Sequence, residues 1–477
     1  MAGIASIPGR AAQLEIAVRS LAPQVDRVFV SMNDYAECPE FLNTIPNVSY
    51  RGRGPGNGGD AEKFAEIDRW EGVVVAADDD LAYPPDYVEK LLDGLSRWGV
   101  NHIVGFHGGE TRGYNDSAIA ATHRQIRCLG ALTTDDPTVN VLGTGALAFD
   151  TRAVPLWRGV FRHPNCADVQ LACHAHRFGI PMVALAHDEG WIHYLLPENA
   201  PTIYGANVAG DGSERDTRAA RKEELDRVNW TVQPSRPRVR VSIATCERPA
   251  LLADLLGDVD RDSAALDLEV CVYEDPSGCD YSEVRAWVEQ RGWQWRRFPE
   301  RLGKDGHAEL VAAEIRDGRD SSADWFVFLP DDVRLVRHAI SRAIDAWDRL
   351  DDPATLTLWR LKDHEGMPNW TGLFPVEREH GWEVFHVDGI YLSRRDLLDF
   401  VSQSCPTLTA AGRRRRRAGS LPRPGSSGVG RSMSLTLHRA GRRMYRVSES
   451  LALPVPNVPS VMNPDATDRF YPGVVAA

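Results

Sequence analysis

Paired cysteines, a long apolar run and an excess of positive charge are all missing from this sequence. Its eight cysteines are scattered, without the CxxC or zinc-finger spacing of a structural zinc site. The first residues, MAGIASIPGRAAQ, contain no basic leader, and no later run approaches the roughly 18 apolar residues of a membrane span. The net charge of −12 argues against general binding to nucleic acids or anionic membranes. These absences predict reduced thiols, no membrane span, a cytoplasmic location and no nucleic-acid partner.

What is present is the composition of a folded protein with more than one domain. Hydrophobic residues make up 43% and charged residues 26% of the chain, so neither disorder nor a fibrous repeat is indicated. A chain of 477 residues is too long for one average core. Two domains are therefore expected.

Two parts of the chain follow the same order of elements. Residues 3–10, GIASIPGR, predict a strand that ends in a turn, followed by a helix and a second strand. Residues 241–249, VSIATCERP, begin the same series. An internal duplication is the simplest explanation, with a β-α-β start in each of two α/β domains.

The expected domain boundaries follow from composition. The first domain is predicted at residues 1–208, a linker with a charged, solvated helix at 209–238, and the second domain at 239–477. Within the second domain, residues 409–428 are rich in Arg, Gly, Pro and Ser, which disfavours packing. Three interpretations of this segment stay open: a disordered surface loop, a basic arm for an anionic polymer, and a local change of reading frame. In the last case residues 405–426 would not be a genuine insertion.

Three consecutive aspartates, Asp78, Asp79 and Asp80, follow an apolar strand. Ligands of open parallel α/β sheets bind outside the carboxyl ends of strands, where these side chains are expected. Adjacent carboxylates repel one another unless a cation or a proton neutralises them. Mg²⁺ and Mn²⁺ prefer a few carboxylates plus substrate phosphates, so a metal site completed by a diphosphate is predicted. The alternative is that the triplet caps the next helix.

Several motifs together resemble the GT-A-fold glycosyltransferases of the large inverting family two. They are the β-α-β start, the DxD-type cluster, VNVLGTGALAFDT and CADVQLACHAHRFGIPMVALAHDEGWI, in that order. The resemblance covers residues 3–196 and, more weakly, 239–400 and 427–463. It implies an α/β protein of two tandem GT-A domains, which are Rossmann-like folds that bind nucleotide-diphospho-sugars.

The resemblance also implies roles for individual residues. Asp78 and Asp80 would hold the metal that bridges the donor diphosphate, and His193, or alternatively His187, would be a further ligand. Asp168, at the start of a predicted helix, would be the base that takes the proton of the acceptor hydroxyl. An ordinary first-turn aspartate is the alternative for Asp168.

Donor contacts are expected at the ends of strands and in nearby turns. The predicted set is Ser6, Arg10, Asn33, Asp34, Asp60, Lys63, Asp79, Gly143, Thr144 and Gly145. Arg10 and Ser6 are expected near the base and diphosphate, and Asp60 and Lys63 near the phosphates.

The second half departs from this pattern. Asp332 keeps a metal position, but Pro330 aligns with Asp78, and Gly430 stands where the first half has Asp168. Trp370 is a candidate platform for stacking a sugar and Asp388 a candidate acid or base. The second domain is expected to be either a transferase with different chemistry or a degenerate copy that binds acceptor.

The sequence as a whole predicts an inverting glycosyltransferase that depends on Mn²⁺ or Mg²⁺. The donor is expected to be a nucleotide-sugar, a UDP-sugar by preference, and the acceptor a carbohydrate, glycoconjugate or protein. A metal-dependent nucleotidyltransferase is the enzymatic alternative, although ASIPGR is a poor phosphate loop. A catalytically inactive carbohydrate- or nucleotide-binding protein is the alternative from another class.

Overall fold

The chain divides after Arg236 into two units, each built around its own sheet. Unit 1 is Met1–Arg236 and unit 2 is Pro237–Ala477. The computed structural model describes residues 1–52, 58–111, 123–127, 129–197, 200–203, 205–206, 212–213, 217–359, 375–385, 389–405, 407–408 and 428–456. Within these ranges, no helix is both long and apolar enough to cross a membrane.

The main sheet of unit 1 has eight strands in the order β3-β2-β1-β4-β11-β6-β12-β9. The strands of unit 1 are β1 (Ala2–Ser6), β2 (Val28–Met32), β3 (Val48–Gly52), β4 (Val73–Asp78), β5 (Leu81–Ala82), β6 (Ile103–Gly105), β7 (Gly108–Thr111), β8 (His123–Arg127), β9 (Thr138–Val139), β10 (Val141–Leu142), β11 (Ala146–Asp150), β12 (Met182–Ala184) and β13 (His193–Tyr194). The first four strands of that order run parallel, whereas β11 is antiparallel to both of its neighbours. The start of β11 therefore meets the carboxyl end of β4.

Helices cover this sheet through apolar faces. They are α1 (Ala11–Leu21), α2 (Tyr87–Trp98), α3 (Ala167–Arg177) and α4 (Arg218–Asp226), with 3-10 helices at Pro8–Arg10, Ala22–Gln24, Glu40–Thr44, Gly59–Phe64, Ile67–Arg69 and Arg158–Val160. In α1, Leu14, Val18 and Leu21 recur at helical spacing and are fully buried. They join Ile4 and other strand residues in one core cluster, so packing holds the strand ends that carry the site.

The main sheet of unit 2 repeats this order. Its nine strands run β16-β15-β14-β17-β22-β19-β23-β21-β20, and the first seven match β3-β2-β1-β4-β11-β6-β12 in order and in direction. The strands of unit 2 are β14 (Arg238–Thr245), β15 (Asp267–Glu274), β16 (Gln294–Arg297), β17 (Trp325–Pro330), β18 (Val333–Leu335), β19 (Pro353–Thr357), β20 (Val376–Arg378), β21 (Gly381–Val384), β22 (Tyr391–Arg394), β23 (Arg443–Arg446) and β24 (Ala452–Pro454). Its helices are α5 (Pro249–Asp262), α6 (Ser282–Gln290), α7 (Gly303–Asp320), α8 (Ala339–Trp347), α9 (Arg395–Ser404) and α10 (Gly428–Arg439). The predicted α/β class, with two sheet-containing regions, is confirmed.

The segment expected to link the domains contains a helix that belongs to unit 1. Helix α4 begins at Arg218, and its Leu225, together with Val228 just after the helix, packs in one buried cluster with Cys166 and Val169. The charged sequence predicts the helix but not this packing, because its polar composition suggests a solvated surface. The boundaries at residues 208 and 239 stay predictions.

Two of the predicted site residues of the second half, Trp370 and Asp388, lie outside the described residues. So do residues 409–427 of the Arg- and Gly-rich loop.

Candidate active site

The three aspartates of unit 1 lie where the carboxyl end of β4 meets the start of β11. Ala5 of β1 pairs with Asp78, the last residue of β4, so the ends of these parallel strands are level. On the other side of β4, Ala77 pairs with Ala146 of β11. The sheet thus places Asp78, Asp79 and Asp80 at one edge, as the sequence predicts.

Arg10 binds two of these aspartates. Its Nη1 donates to Asp79 Oδ1 and to Asp80 Oδ2, at 2.9 Å in each case. The 3-10 helix Pro8–Arg10, which follows β1, brings the guanidinium to this position. The structure therefore shows Arg10 paired with carboxylates at this edge, where a contact to the donor was expected.

Asp78 has a different partner, Lys63. The Lys63 Nζ donates to Asp78 Oδ1 and also lies 3.3 Å from the carbonyl oxygen and 3.4 Å from Oγ1 of Thr144. Lys63 is 2% exposed, whereas the Asp78 side chain is 40% exposed. Asp78 is thus paired with the buried Lys63, while much of its own carboxylate is open to solvent.

Gly145 gives Asp78 the space that it occupies. A Cβ atom at Gly145 would overlap the Asp78 carboxylate, so a side chain at this position is excluded while Asp78 keeps its place. Tyr83 secures the same corner, since its hydroxyl accepts from the Asp78 backbone N–H at 2.7 Å and donates to the Gly145 carbonyl at 2.8 Å. At Gly143, by contrast, a Cβ would lie 3.4 Å from the His107 ring, which is ordinary contact.

The acidic cluster carries more negative charge than its cations neutralise. Burial, and then Asp78, raise the pKa of Asp80 to about 7, although Arg10 opposes this shift. Burial likewise raises the pKa of Asp79. Such raised pKa values are typical of functional sites, where a cation or a proton stabilises closely spaced carboxylates.

The residues present fit a divalent cation only as part of a shell. Within the described residues, no group of three or more His, Cys, Asp and Glu side chains is arranged to hold a metal alone. Mg²⁺ and Mn²⁺ are often held by one or two carboxylates plus substrate phosphates, and Asp78 and Asp80 can supply those carboxylates. The exposed Asp78 carboxylate and the space left by Gly145 are consistent with such a partial set.

The two candidate histidines differ in surroundings. His193 is exposed on β13, which pairs with β5 so that His193 lies opposite Ala82, and the Leu195 N–H donates to the Asp80 carbonyl at 2.9 Å. His187 is 4% exposed, and its ring nitrogens lie 3.0 Å and 3.2 Å from backbone carbonyl oxygens. His187 is a packed core residue, and His193 stays a predicted ligand.

Asp60 lies between the aspartate cluster and the start of α3. Its Oδ2 accepts from the Ala167 N–H at 3.2 Å, and its buried Oδ1 has no hydrogen-bond partner among the described residues. Burial is the main cause that raises the pKa of Asp60 to about 6; Lys63 opposes this, while Asp168 and Asp78 add to it. A carboxylate with a free oxygen is poorly suited to the expected phosphate contact and well suited to accept from a hydroxyl group.

Asp168, the candidate base, is held by an arginine that the sequence analysis does not identify. It lies in the first turn of α3, and the Nη2 of Arg221 donates to its two carboxylate oxygens at 3.1 Å and 3.2 Å. The Asp168 side chain is 26% exposed and the Arg221 side chain 11% exposed. A partly accessible carboxylate therefore sits on a buried guanidinium.

His107 is a second residue that sequence reasoning missed. It follows β6, and its carbonyl accepts from the Gly143 N–H at 2.9 Å. Burial lowers the pKa of His107, while the charges of Asp168 and Asp78 act against that shift. The short motif GFHGGE places a histidine just after a strand, which is the available signal, but a lone histidine is weak evidence of function.

The expected nucleotide contacts include residues that already have structural partners. Asn33 donates to the Gly59 carbonyl at 3.1 Å and accepts from the Gly58 N–H at 3.2 Å, which fixes the turn before Asp60 and Lys63. The Ser6 hydroxyl lies 3.0 Å from that of Tyr35. Asp34 is exposed and has a φ of 57°, in the left-handed region. Their donor contacts stay predictions.

Unit 2 reproduces part of this site. Arg248 Nη1 donates to Asp331 Oδ1 at 3.1 Å and to Asp332 Oδ2 at 2.8 Å, as Arg10 does to its own pair. The Thr245 hydroxyl lies 3.0 Å from that of Tyr281 and donates to Asp331 Oδ2 at 2.8 Å. Burial is the main cause that raises the pKa of Asp331 to about 6.

The remaining positions in unit 2 differ. Pro330 ends β17 where Asp78 ends β4, and Gly430 lies in α10, the helix that precedes β23. The predicted metal ligand Asp332 is paired with Arg248. The aligned positions of unit 2 thus lack the carboxylates that stand open in unit 1.

Comparisons with known proteins give structural matches only. No protein-family model and no curated protein matches the sequence. A mannosyltransferase from Pyrobaculum calidifontis in complex with GDP-Man and Mn²⁺ matches at 16% identity and a TM-score of 0.31, over 45% of this chain and 55% of that one. S. aureus TarS matches at 10% identity and a TM-score of 0.31, over 45% of this chain and 36% of that one.

A third match is glucosyl-3-phosphoglycerate synthase from Mycobacterium tuberculosis in complex with Mn²⁺, UDP and phosphoglyceric acid. It has 15% identity and a TM-score of 0.32, over 49% of this chain and 75% of that one. The chain thus spans less than two thirds of the mannosyltransferase and of TarS. Because identities and TM-scores are this low, any assignment of function rests on the site residues.

Proposed function

We propose that unit 1 is a metal-dependent, inverting glycosyltransferase that uses a nucleoside-diphosphate sugar, a UDP-sugar by preference. The observation that carries the proposal is the arrangement of three carboxylates along one sheet edge. Asp78 is open above a buried lysine, Asp168 is open above a buried arginine, and Asp60 interacts electrostatically with both. A transferase needs these two ends, one for the leaving diphosphate and one for the attacking hydroxyl.

At the diphosphate end, Asp78 and Asp80 would hold Mn²⁺ or Mg²⁺. The cation would act as a Lewis acid on the leaving nucleoside diphosphate. Lys63 pairs with Asp78, and Arg10 pairs with Asp79 and Asp80. Since Arg10 binds Asp80 directly, we infer that Arg10 shifts toward the phosphates when the donor binds.

At the other end, Asp168 would act as the general base. The acceptor oxygen forms a bond to the anomeric carbon while the bond from that carbon to the phosphate oxygen breaks. The electron pair of the broken bond leaves with the nucleoside diphosphate, and the acceptor proton moves to Asp168. In-line attack from the face opposite the leaving group inverts the anomeric centre.

Between the two ends, Asp60 would bind substrate. Its unpartnered Oδ1 can accept a hydrogen bond from a hydroxyl of the donor sugar or of the acceptor. A substrate hydroxyl would satisfy an oxygen that is otherwise buried without a partner, which favours binding of polyhydroxylated molecules.

For unit 2 we propose binding without transfer. Its aspartate pair is bound by Arg248, and the aligned positions hold Pro330 and Gly430 in place of a metal ligand and a base. The inactive-module alternative thus applies to unit 2 alone. The cytoplasmic location and the carbohydrate, glycoconjugate or protein acceptor stay predictions.

The first test is a thermal-shift screen of UDP-, GDP- and TDP-sugars with and without Mn²⁺. A ligand that binds only the folded state raises the apparent stability, and a shift that requires both nucleotide and metal is expected with one base. Release of free nucleoside diphosphate from that donor should follow. Sugar binding that a chelator leaves unchanged, with no nucleotide released, would contradict the proposal and favour a binding module.

A further inference from the structure

Helix α4 is fixed to the active-site helix α3. Leu225 of α4 and Val228, two residues after its end, share a buried apolar cluster with Cys166, Val169 and Cys173. The Cys173 thiol also lies 3.4 Å from the Glu224 carbonyl oxygen. The helix therefore has a defined position relative to Asp168, although its sequence suggests a solvated linker.

Arg221 is the residue that α4 directs toward the site. Its Nε donates to the Thr217 hydroxyl at 3.3 Å, and its Nη2 donates to both carboxylate oxygens of Asp168. Burial acts to lower the pKa of Arg221, but the charge of Asp168 and other neighbouring groups outweigh it, so the pKa is raised. Two side chains 53 residues apart thus form one partly buried, oriented pair.

We propose that Arg221 is a positioning residue for the general base Asp168, so that α4 is a working part of the active site of unit 1. The inference rests on the proposed function, because it requires Asp168 to be the base. Arg221 contacts neither donor nor acceptor directly in this scheme. It acts by orienting the carboxylate and by favouring its ionised form.

The surroundings of Asp168 explain why it needs a cation. Asp168 interacts electrostatically with three titratable groups on neighbouring segments, which are Asp60 from the 3-10 helix Gly59–Phe64, His107 after β6, and Cys166 just before α3. Asp60 is a like charge, and the thiol of Cys166 is neutral because burial raises its pKa well above the usual value. Arg221, which donates to both oxygens of Asp168, is a cation that offsets the repulsion between Asp60 and Asp168.

The contact also leaves Asp168 able to react. Each carboxylate oxygen has two lone pairs, so the contact with Arg221 does not by itself use the whole hydrogen-bonding capacity of the carboxylate. Because the side chain is 26% exposed, an acceptor hydroxyl can reach it.

The test compares Arg221→Met, Arg221→Lys and Lys222→Met in the full chain. Lys222 is on the same helix but pairs with Asp226 at the surface, so its replacement controls for a lost charge on α4. Release of nucleoside diphosphate from a UDP-sugar in Mn²⁺, with water in place of the acceptor, gives kcat and KM over a range of pH. Donor binding is followed separately by thermal shift.

Arg221→Met should lower kcat by about 10–100-fold, the effect of losing a charged hydrogen bond, with little change in donor KM. The acidic limb of its pH–rate profile should move to higher pH, because a carboxylate without its cation is harder to ionise. Arg221→Lys should restore part of kcat and of the profile, and Lys222→Met should match the wild type. An unshifted pH profile in Arg221→Met would overturn the proposal.

A double-mutant cycle separates positioning from structural support. If Arg221 acts through Asp168, adding Arg221→Met to Asp168→Asn should cost no further activity. A full additional loss in the double variant would show that Arg221 acts by another route and would overturn the inference. Failure of the wild type to release nucleoside diphosphate from any donor would instead overturn the proposed function itself.

Discussion

Units 1 and 2 share a frame but differ in which carboxylates stand open. Both have the same order and direction of seven strands, and in both an arginine after the first strand bridges two aspartates. Only unit 1 adds Asp78 at the end of β4 and Asp168 at the start of α3. The arginine bridge is thus a property of the frame, whereas Asp78 and Asp168 distinguish the proposed catalytic unit.

This difference changes the meaning of the acidic motif. Two consecutive aspartates after an apolar strand occur in both units, where they serve to bind an arginine. Unit 1 adds a third carboxylate, Asp78, which is 40% exposed although it pairs with Lys63, whereas Pro330 stands at the aligned position of unit 2. The motif therefore indicates the position of a site but not its activity.

Replacing Asp168 should have the largest effect on activity of the changes that distinguish the two units. Asp168→Asn should lower transfer by about 10²–10⁴-fold, because a positioned general base contributes a factor of this size. Donor binding, measured by thermal shift, should persist. Asp332→Asn in unit 2 is the matched control and should leave nucleoside diphosphate release unchanged. An equal loss in both variants would show that the two units work together in one reaction.

Asp78 should have the next largest effect. Asp78→Asn keeps the size of the side chain but removes the charge, and activity should fall by about 100-fold or more because several kcal/mol of metal stabilisation are lost. Titration with Mn²⁺ should show weaker activation. Asp93→Asn removes an exposed acid of α2 and should behave as the wild type. Unaltered Mn²⁺ dependence in Asp78→Asn would remove Asp78 from the metal site.

Two glycines test how closely Asp78 is placed. Gly145→Ala forces a Cβ into the Asp78 carboxylate, whereas Gly143→Ala brings one only to 3.4 Å from His107. Gly145→Ala should lower activity by roughly 10-fold, which is less than the about 100-fold loss that a 1 Å misplacement can cause. Gly143→Ala should be nearly neutral. Equal activities of the two variants, measured by nucleoside diphosphate release, would contradict this account of the corner.

Replacing a buried glutamate should change the stability of the fold, and this is the smallest effect expected. The replacement should destabilise unit 1 and, at pH 8, stabilise unit 2. Glu62 is fully buried and accepts from Arg51 at 3.0 Å and Arg158 at 2.8 Å, so Glu62→Gln should destabilise unit 1 by about 1–3 kcal/mol. Burial raises the pKa of Glu314 in unit 2 to about 8.

The pH dependence follows from that shift. A glutamate with an unfolded pKa of about 4.3 and a higher folded value stabilises the folded state below about pH 4 and loses that contribution as the pH rises through about 8. Glu314→Gln should therefore raise the melting temperature at pH 8 more than at pH 5. Thermal denaturation at both pH values is the measurement, and a melting temperature lowered at pH 8 would contradict the assignment.

The sequence predicts the elements of this site better than its contacts. Apolar strands followed by polar clusters locate Asp78, Asp79 and Asp80 at a strand end, because that relation is local. The Arg221–Asp168 pair is not predictable in this way, since it joins distant residues and one of them lies in a stretch with the composition of a spacer. His107 was missed because its position just after a strand is too weak a signal to distinguish it from a packed histidine.

The sequence also did not predict the partners of side chains that can serve either a structural or a functional role. Asn33 has the residue type of a nucleotide contact, yet both ends of its amide hold the turn at Gly58 and Gly59. His187 was a reasonable metal-ligand candidate, yet its ring faces backbone carbonyls in the core. In each case tertiary packing decides the partner, and a residue type alone does not.

The seating of α4 on α3 has a consequence for how the chain can vary. Residues 209–238 have the composition of a segment that tolerates change, and most substitutions on its exposed face should indeed be harmless. An insertion or deletion within the helix itself would rotate Arg221 by about 100° per residue around the helix axis and take it away from Asp168. We therefore expect the number of residues in α4 to be constrained even where individual residues can be substituted.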